Sequence, residues 1–168
     1  SDLVQYHLRK HYEVDEKQYH PAAYDINAAC TGYVYGLQIA YDQLVSRPGS
    51  VILLLTAEAL SPRLDMNDPG TAPIFGDAAT ATVVTDEQGL QNVYGDGASP
   101  PTGGYRFHRP VIKADGETGE LLSVPVDAVS PIKMEGPRVF QAAVKDMIVA
   151  LKDAAAEAGT TADALRSE

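Results

Sequence analysis

The stretch Ala23-Tyr24-Asp25-Ile26-Asn27-Ala28-Ala29-Cys30-Thr31-Gly32-Tyr33 carries the only cysteine of the chain. Its first residues read as a short buried strand over 22–29. After Cys30, the residues Val34, Leu37, Ala40, Tyr41 and Leu44 recur at helical spacing, predicting a helix to about Ser46, closed by Pro48-Gly49. A strand running into a helix leaves Cys30 in the turn between them. Free backbone N–H groups and the helix dipole favour a thiolate at such a place. Gly32 leaves room for another backbone or a ligand. An isolated cysteine is more often an inert small core residue, but a strand, cysteine, small residue, glycine and aromatic in succession favour a nucleophile.

Outward from that junction, the chain alternates strand and helix signals. Leu3, Val4, Leu8 and Val14 stand among charged neighbours and suggest an amphipathic helix over 3–14. Val51 to Thr56 is a continuous apolar run, expected to be a strand buried on both faces of its sheet. Residues 61–70 read as an irregular loop. Ala79 to Thr85 alternates and is rich in β-branched residues, so it is a second strand. Residues 95–119 hold many Gly and Pro residues and form a surface excursion. Val139, Phe140, Ala143, Val144, Met147, Val149 and Leu151 mark the longest helix, from Arg138 to Ala156. Gly159 closes it, and Thr160-Thr161 opens a further turn running to Glu168.

Composition narrows the classes. The 168 residues are 45% hydrophobic, enough for a real core in one domain. No apolar run approaches the length of a membrane span, and mean hydropathy is −0.15. One cysteine excludes an internal disulfide and a cysteine-based zinc site, and fits a reducing, cytoplasmic setting. The polar start, residues 1–17, is unlike a secretory leader. A net charge of −10 argues against nucleic acid and anionic membrane surfaces. His7 and His11 are spaced i,i+4, but without a neighbouring His-Glu pattern they read as solvated or packed helix residues, and no metal is expected.

Three segments in order resemble the thiolase-like condensing enzymes, most closely the ketoacyl-ACP synthase III family. Ala28-Ala29-Cys30-Thr31-Gly32-Tyr33 is similar to its nucleophile motif. Gly70-Thr71 with Ile74-Phe75-Gly76-Asp77-Ala78-Ala79 resembles its glycine-rich segment. Lys133-Met134-Glu135-Gly136 with Val139-Phe140 resembles its Met-x-Gly-x-x-Val-Phe helix start. The resemblance implies an α/β fold of layered α-β-α, thiolase-like type. Residues 1–130 would be a partial N-terminal repeat and 131–168 the start of a C-terminal repeat.

The implied chemistry is a decarboxylating Claisen condensation with Cys30 as the acylated nucleophile, and with its backbone N–H as an oxyanion donor. Leu60 and Phe75 match acyl-pocket positions, with core packing as the alternative for each. Phe140 is either an entrance-wall or a helix-core residue. Gly76 and Asp77 are expected to shape a tight turn, and Tyr33 and Tyr35 to pack. No cofactor is implied; the substrates would be acyl-CoA or acyl-ACP thioesters, and the partners coenzyme A thioesters, an acyl carrier protein and a second copy of the chain. Val51 to Thr56 matches the strand that pairs across the two-fold axis of the family homodimer.

The family's decarboxylating His and Asn lie in segments with no counterpart here; His7, His11, His20 and His108 have no matching context. The resemblance thus covers about the middle half of such an enzyme, suggesting a fragment. Pro69 replaces an Arg that stacks on the coenzyme A nucleotide, Pro137 an Asn that contacts it, and Gln141 a basic residue tied to carrier docking, although Arg138 lies a helical turn away. Proline supplies neither contact, so an unusual starter or another donor is expected. A type III polyketide synthase or hydroxymethylglutaryl-CoA synthase, and a non-catalytic partner or scaffold subunit of the same fold, are the alternatives.

Overall fold

The computed structural model describes residues 2–14, 20–127 and 129–164. The chain divides into two compact units, residues 1–32 and 33–168.

In the first unit, α1 (Asp2–His11) forms where the amphipathic pattern predicts it, but buries none of its residues. Leu3 remains 68% exposed. Gln5 donates to the Pro21 carbonyl at 2.7 Å, and Arg9 Nη1 lies 3.1 Å from His20 Nδ1. Residues 22–28 carry no helix or strand, which corrects the strand expected there. An extended segment becomes a strand only by joining a ladder, and neither ladder of the described residues includes it. A 3₁₀ turn, Ala29–Thr31, follows.

The second unit is built on an antiparallel ribbon of β1 (Val51–Glu58) and β2 (Ala78–Thr85), paired from Val51 opposite Thr85 to Glu58 opposite Ala78. The helix α2 (Gly32–Ser46) supplies Ala40 and Leu44 to a small core with Val84, flanked by Leu37, Ile52, Leu54 and Phe107. Side chains alternate across a strand, and that core takes the face of β1 that carries Ile52 and Leu54. The opposite face stays open, with Val51 49%, Leu53 48% and Val83 65% exposed. The expectation of a strand buried on both faces is therefore corrected: among the described residues, one face is covered.

Asp86 caps α3 (Glu87–Tyr94), accepting from the Gly89 N–H at 2.7 Å. The same carboxylate accepts from the Gly49 N–H, closing the α2–β1 turn onto the β2–α3 turn. Between Gly95 and Thr118 there is no regular element, as the Gly and Pro content predicts, although Phe107 reaches the core and meets the Tyr41 ring edge-on. Two short strands, β3 (Leu122–Ser123) and β4 (Lys133–Met134), pair antiparallel. Arg63 ties this region to the loop after β1: its guanidinium donates to the carbonyls of Pro125 and Asp127, and its own carbonyl accepts from the Ile132 N–H.

The long helix α4 (Gly136–Glu157) has Pro137 in its first turn, where the missing N–H costs nothing. It ends as predicted at Gly159, in a left-handed conformation with φ 71°. The further turn expected after Thr161 reaches Ala164, and its remainder lies outside the described residues. No helix among the described residues is long and apolar enough to cross a membrane.

Candidate active site

Cys30 is the middle residue of the 3₁₀ turn and is exposed. Its backbone setting is unusual, because Ala29 adopts φ 46°. A left-handed alanine costs roughly 1–2 kcal/mol over the right-handed conformation, and such strain clusters at functional sites. Local bonds hold it. Asn27 Oδ1 accepts from the Ala29 N–H at 3.3 Å, and the Ala28 carbonyl accepts from both the N–H and the hydroxyl of Thr31, at 3.2 and 2.8 Å. The cysteine is thus flanked by a strained residue on one side and a doubly tied threonine on the other. Gly32, where a Cβ would meet open space, begins α2 two residues later.

The other three residues expected at the site belong to the second unit. Leu60 and Phe75, both half-buried, stand beyond the last pair of the ribbon, Glu58 opposite Ala78, and so at the same end of it. Phe140, in the first turns of α4, is 69% exposed. Tyr33 packs along β2, with its hydroxyl 3.3 Å from Thr82 Oγ1.

Sequence pattern alone does not reveal how the loops around Leu60 and Phe75 are held. Asp77 Oδ1 accepts from the Ser61 N–H at 2.8 Å, and Oδ2 from the Ser61 hydroxyl at 2.6 Å. The Ser61 side chain, its N–H and the Leu60 N–H hold the Asp77 carboxyl below its ordinary range. Ser61 opens the 3₁₀ turn Ser61–Arg63, so Asp77 closes a contact between loops; the tight turn expected at Gly76 and Asp77 does not form. Asp68 works locally: its carboxylate accepts from the Thr71 hydroxyl and the Gly70 N–H, which lower it, and Thr71 is buried. Pro69 lies within that turn. Among the described residues no group of three or more His, Cys, Asp or Glu side chains is placed to hold a metal ion.

The model of the family described as 3-oxoacyl-[acyl-carrier-protein] synthase III matches residues 24–95, which include Cys30, Leu60, Phe75 and Asp77. A β-ketoacyl-[acyl-carrier-protein] synthase III of Nitratidesulfovibrio vulgaris (strain DP4) is 33% identical over 84% of this chain and 43% of its own length. The protein of that name from Neorickettsia sennetsu is 35% identical over 87% of this chain and 42% of its own. Two solved structures bear the same name. That of Thermus thermophilus superposes with TM-score 0.64 at 32% identity, covering 83% of this chain and 42% of the other. The 3-oxoacyl-[acyl-carrier-protein] synthase III of Aquifex aeolicus VF5 gives 0.67 at 30%, covering 86% and 42%. The chain therefore spans about two fifths of the length of these relatives, 42–43%, and shares their thiolase-like α/β fold over that part. On the family match, the relatives and the superposition, this part of the chain matches the 3-oxoacyl-[acyl-carrier-protein] synthase III family, most directly over residues 24–95.

Proposed function

We propose that Cys30 is the acyl-carrying nucleophile of a condensing enzyme of fatty acid synthesis. Its thiolate adds to the carbonyl carbon of an acyl thioester, and the carbon–sulfur bond to coenzyme A or a carrier breaks, releasing that thiol. A malonyl thioester then loses carbon dioxide, and the resulting carbanion bonds to the acyl carbon. The Cys30 sulfur leaves, and a 3-oxoacyl thioester is the product. The Cys30 backbone N–H serves as an oxyanion donor, Leu60 and Phe75 line the acyl pocket, and Phe140 stands at its entrance. The observation that carries this reading is an exposed cysteine directly after a strained alanine, within the segment matched by the family.

The decarboxylation step asks for a His and an Asn that no segment of these 168 residues matches. We assign residues 1–130 and 131–168 to two repeats of the fold, and expect a homodimer joined through the edge of β1 that no described strand pairs. The protein in its full encoded length, assayed for carbon dioxide release from malonyl thioester in the presence of acyl thioesters, tests the reading. Release that disappears in Cys30→Ala supports it; undiminished release in that variant overturns it.

A further inference from the structure

Resting on that reading, we propose that Asp77 is a positioning residue that sets the spacing between Leu60 and Phe75, and so the acyl length accepted. The ribbon ladder ends at Glu58 and Ala78, and beyond it the two strands continue as Ala59-Leu60-Ser61 and Asp77-Gly76-Phe75. With no ladder bond, nothing intrinsic to the ribbon fixes their separation. Asp77 spans the gap with two accepted bonds, from the Ser61 N–H and the Ser61 hydroxyl. Leu60, next to Ser61, is held through its carbonyl, which accepts from the Arg63 N–H at 2.8 Å. On the other strand Asp77 stands two residues from Phe75. The intervening Gly76 has open space where a Cβ would be, so it adds no wedge of its own. A carboxylate whose two oxygens take the N–H and the hydroxyl of one residue holds that residue rather than a substrate. The pocket residues are therefore fixed by a side chain that itself need not line the pocket.

One methylene in an apolar pocket is worth about tenfold in selectivity only where the walls are fixed. In the protein at full encoded length, intact-mass measurement of acylation with a graded series of straight-chain acyl thioesters reads that selectivity. Asp77→Ala is expected to flatten the length profile from about tenfold per methylene toward equal acceptance. Asp77→Asn is expected to retain it, since an amide oxygen accepts from the Ser61 N–H while the amide nitrogen donates to the Ser61 hydroxyl. Ser61→Ala, which keeps the N–H bond and loses one hydroxyl, covers the case in which Asp77→Ala does not fold, and should give an intermediate profile. An unaltered profile in Asp77→Ala or, failing that, in Ser61→Ala overturns the proposal, as does a profile equally flattened in Asp77→Asn. Amide hydrogen exchange separates this from the acyl-transfer reading. Exchange at Ser61 should accelerate in the alanine variant and not in the asparagine one, whether or not Cys30 is acylated; unchanged exchange in the alanine variant also overturns the proposal.

Discussion

Gly36 of α2 and Leu54 of β1 approach so closely that a Cβ on Gly36 would lie 2.6 Å from Leu54 Cδ1. The helix sits on the ribbon at that distance because its contact residue has no side chain. Two effects oppose each other in Gly36→Ala. Helix propensity favours alanine by about 1 kcal/mol, whereas overpacking costs about 1–3 kcal/mol. The clashing atom is the free end of the Leu54 side chain, which can turn aside, so Gly36→Ala should change stability in denaturant by less than about 1 kcal/mol, whereas Gly36→Leu should lose about 1–3 kcal/mol. A more stable leucine variant would show that α2 and β1 are not held at this distance.

Asp86 joins two turns with one carboxylate. Replacing it with alanine removes the cap of α3 and the bond to Gly49. Loss of such a cap costs about 1–2 kcal/mol. Asp86→Asn keeps an acceptor for Gly89 and should recover most of it. Equal losses in the two variants, measured by urea midpoints at matched slopes, would mean that charge rather than the cap stabilises this corner.

The Asp77 clamp also has a pH signature. The hydrogen bonds of the Ser61 hydroxyl, then the Ser61 N–H, lower the Asp77 carboxyl below its unfolded value. A carboxyl lowered on folding contributes stability that is fully present above its unfolded pKa, about 4, and is lost as pH falls through the lower folded value. Protection of the Ser61 amide should therefore hold at neutral pH and decline in acid. In Asp77→Asn that decline should be absent. Asp68 and Asp127, lowered by Thr71 and by Ser130 respectively, add losses in the same acid range, so the local readout discriminates where a global melt does not.

Exposure of Cys30 makes its own prediction. Iodoacetamide should alkylate it in the folded protein without denaturant. Labelling that proceeds only on unfolding would place the thiol in a closed core, against the structure.

Much of this was legible in local pattern. The apolar run of β1, the β-branched alternation of β2 and the helical spacing of α2 and α4 are signals contained within each element. What failed is non-local. Residues 22–28 have strand-like composition but join no strand ladder among the described residues. The Val51 run does not reveal that its second face stays open. β3 and β4 are two residues each and exist only through their pairing. α3 escaped because it is short and carries Gly89 in its first turns, although Asp86 before it and Gly95 after it are cap signals. At the site, Cys30 was legible as the lone thiol in its motif. The left-handed Ala29 was not, since nothing in an alanine announces φ 46°. Asp77 read as a turn former, but its partner Ser61 lies sixteen positions away, a distance no local pattern spans.

The central claim is that Cys30 carries the acyl group. Incubating the protein at full encoded length with an acyl thioester, then locating the added mass by peptide mapping, addresses it directly. One acyl group per chain is expected on the peptide that contains Cys30, absent in Cys30→Ala and released by hydroxylamine as a thioester. Acylation at another residue, or no covalent adduct across a panel of acyl-CoA and acyl-carrier donors, would contradict it.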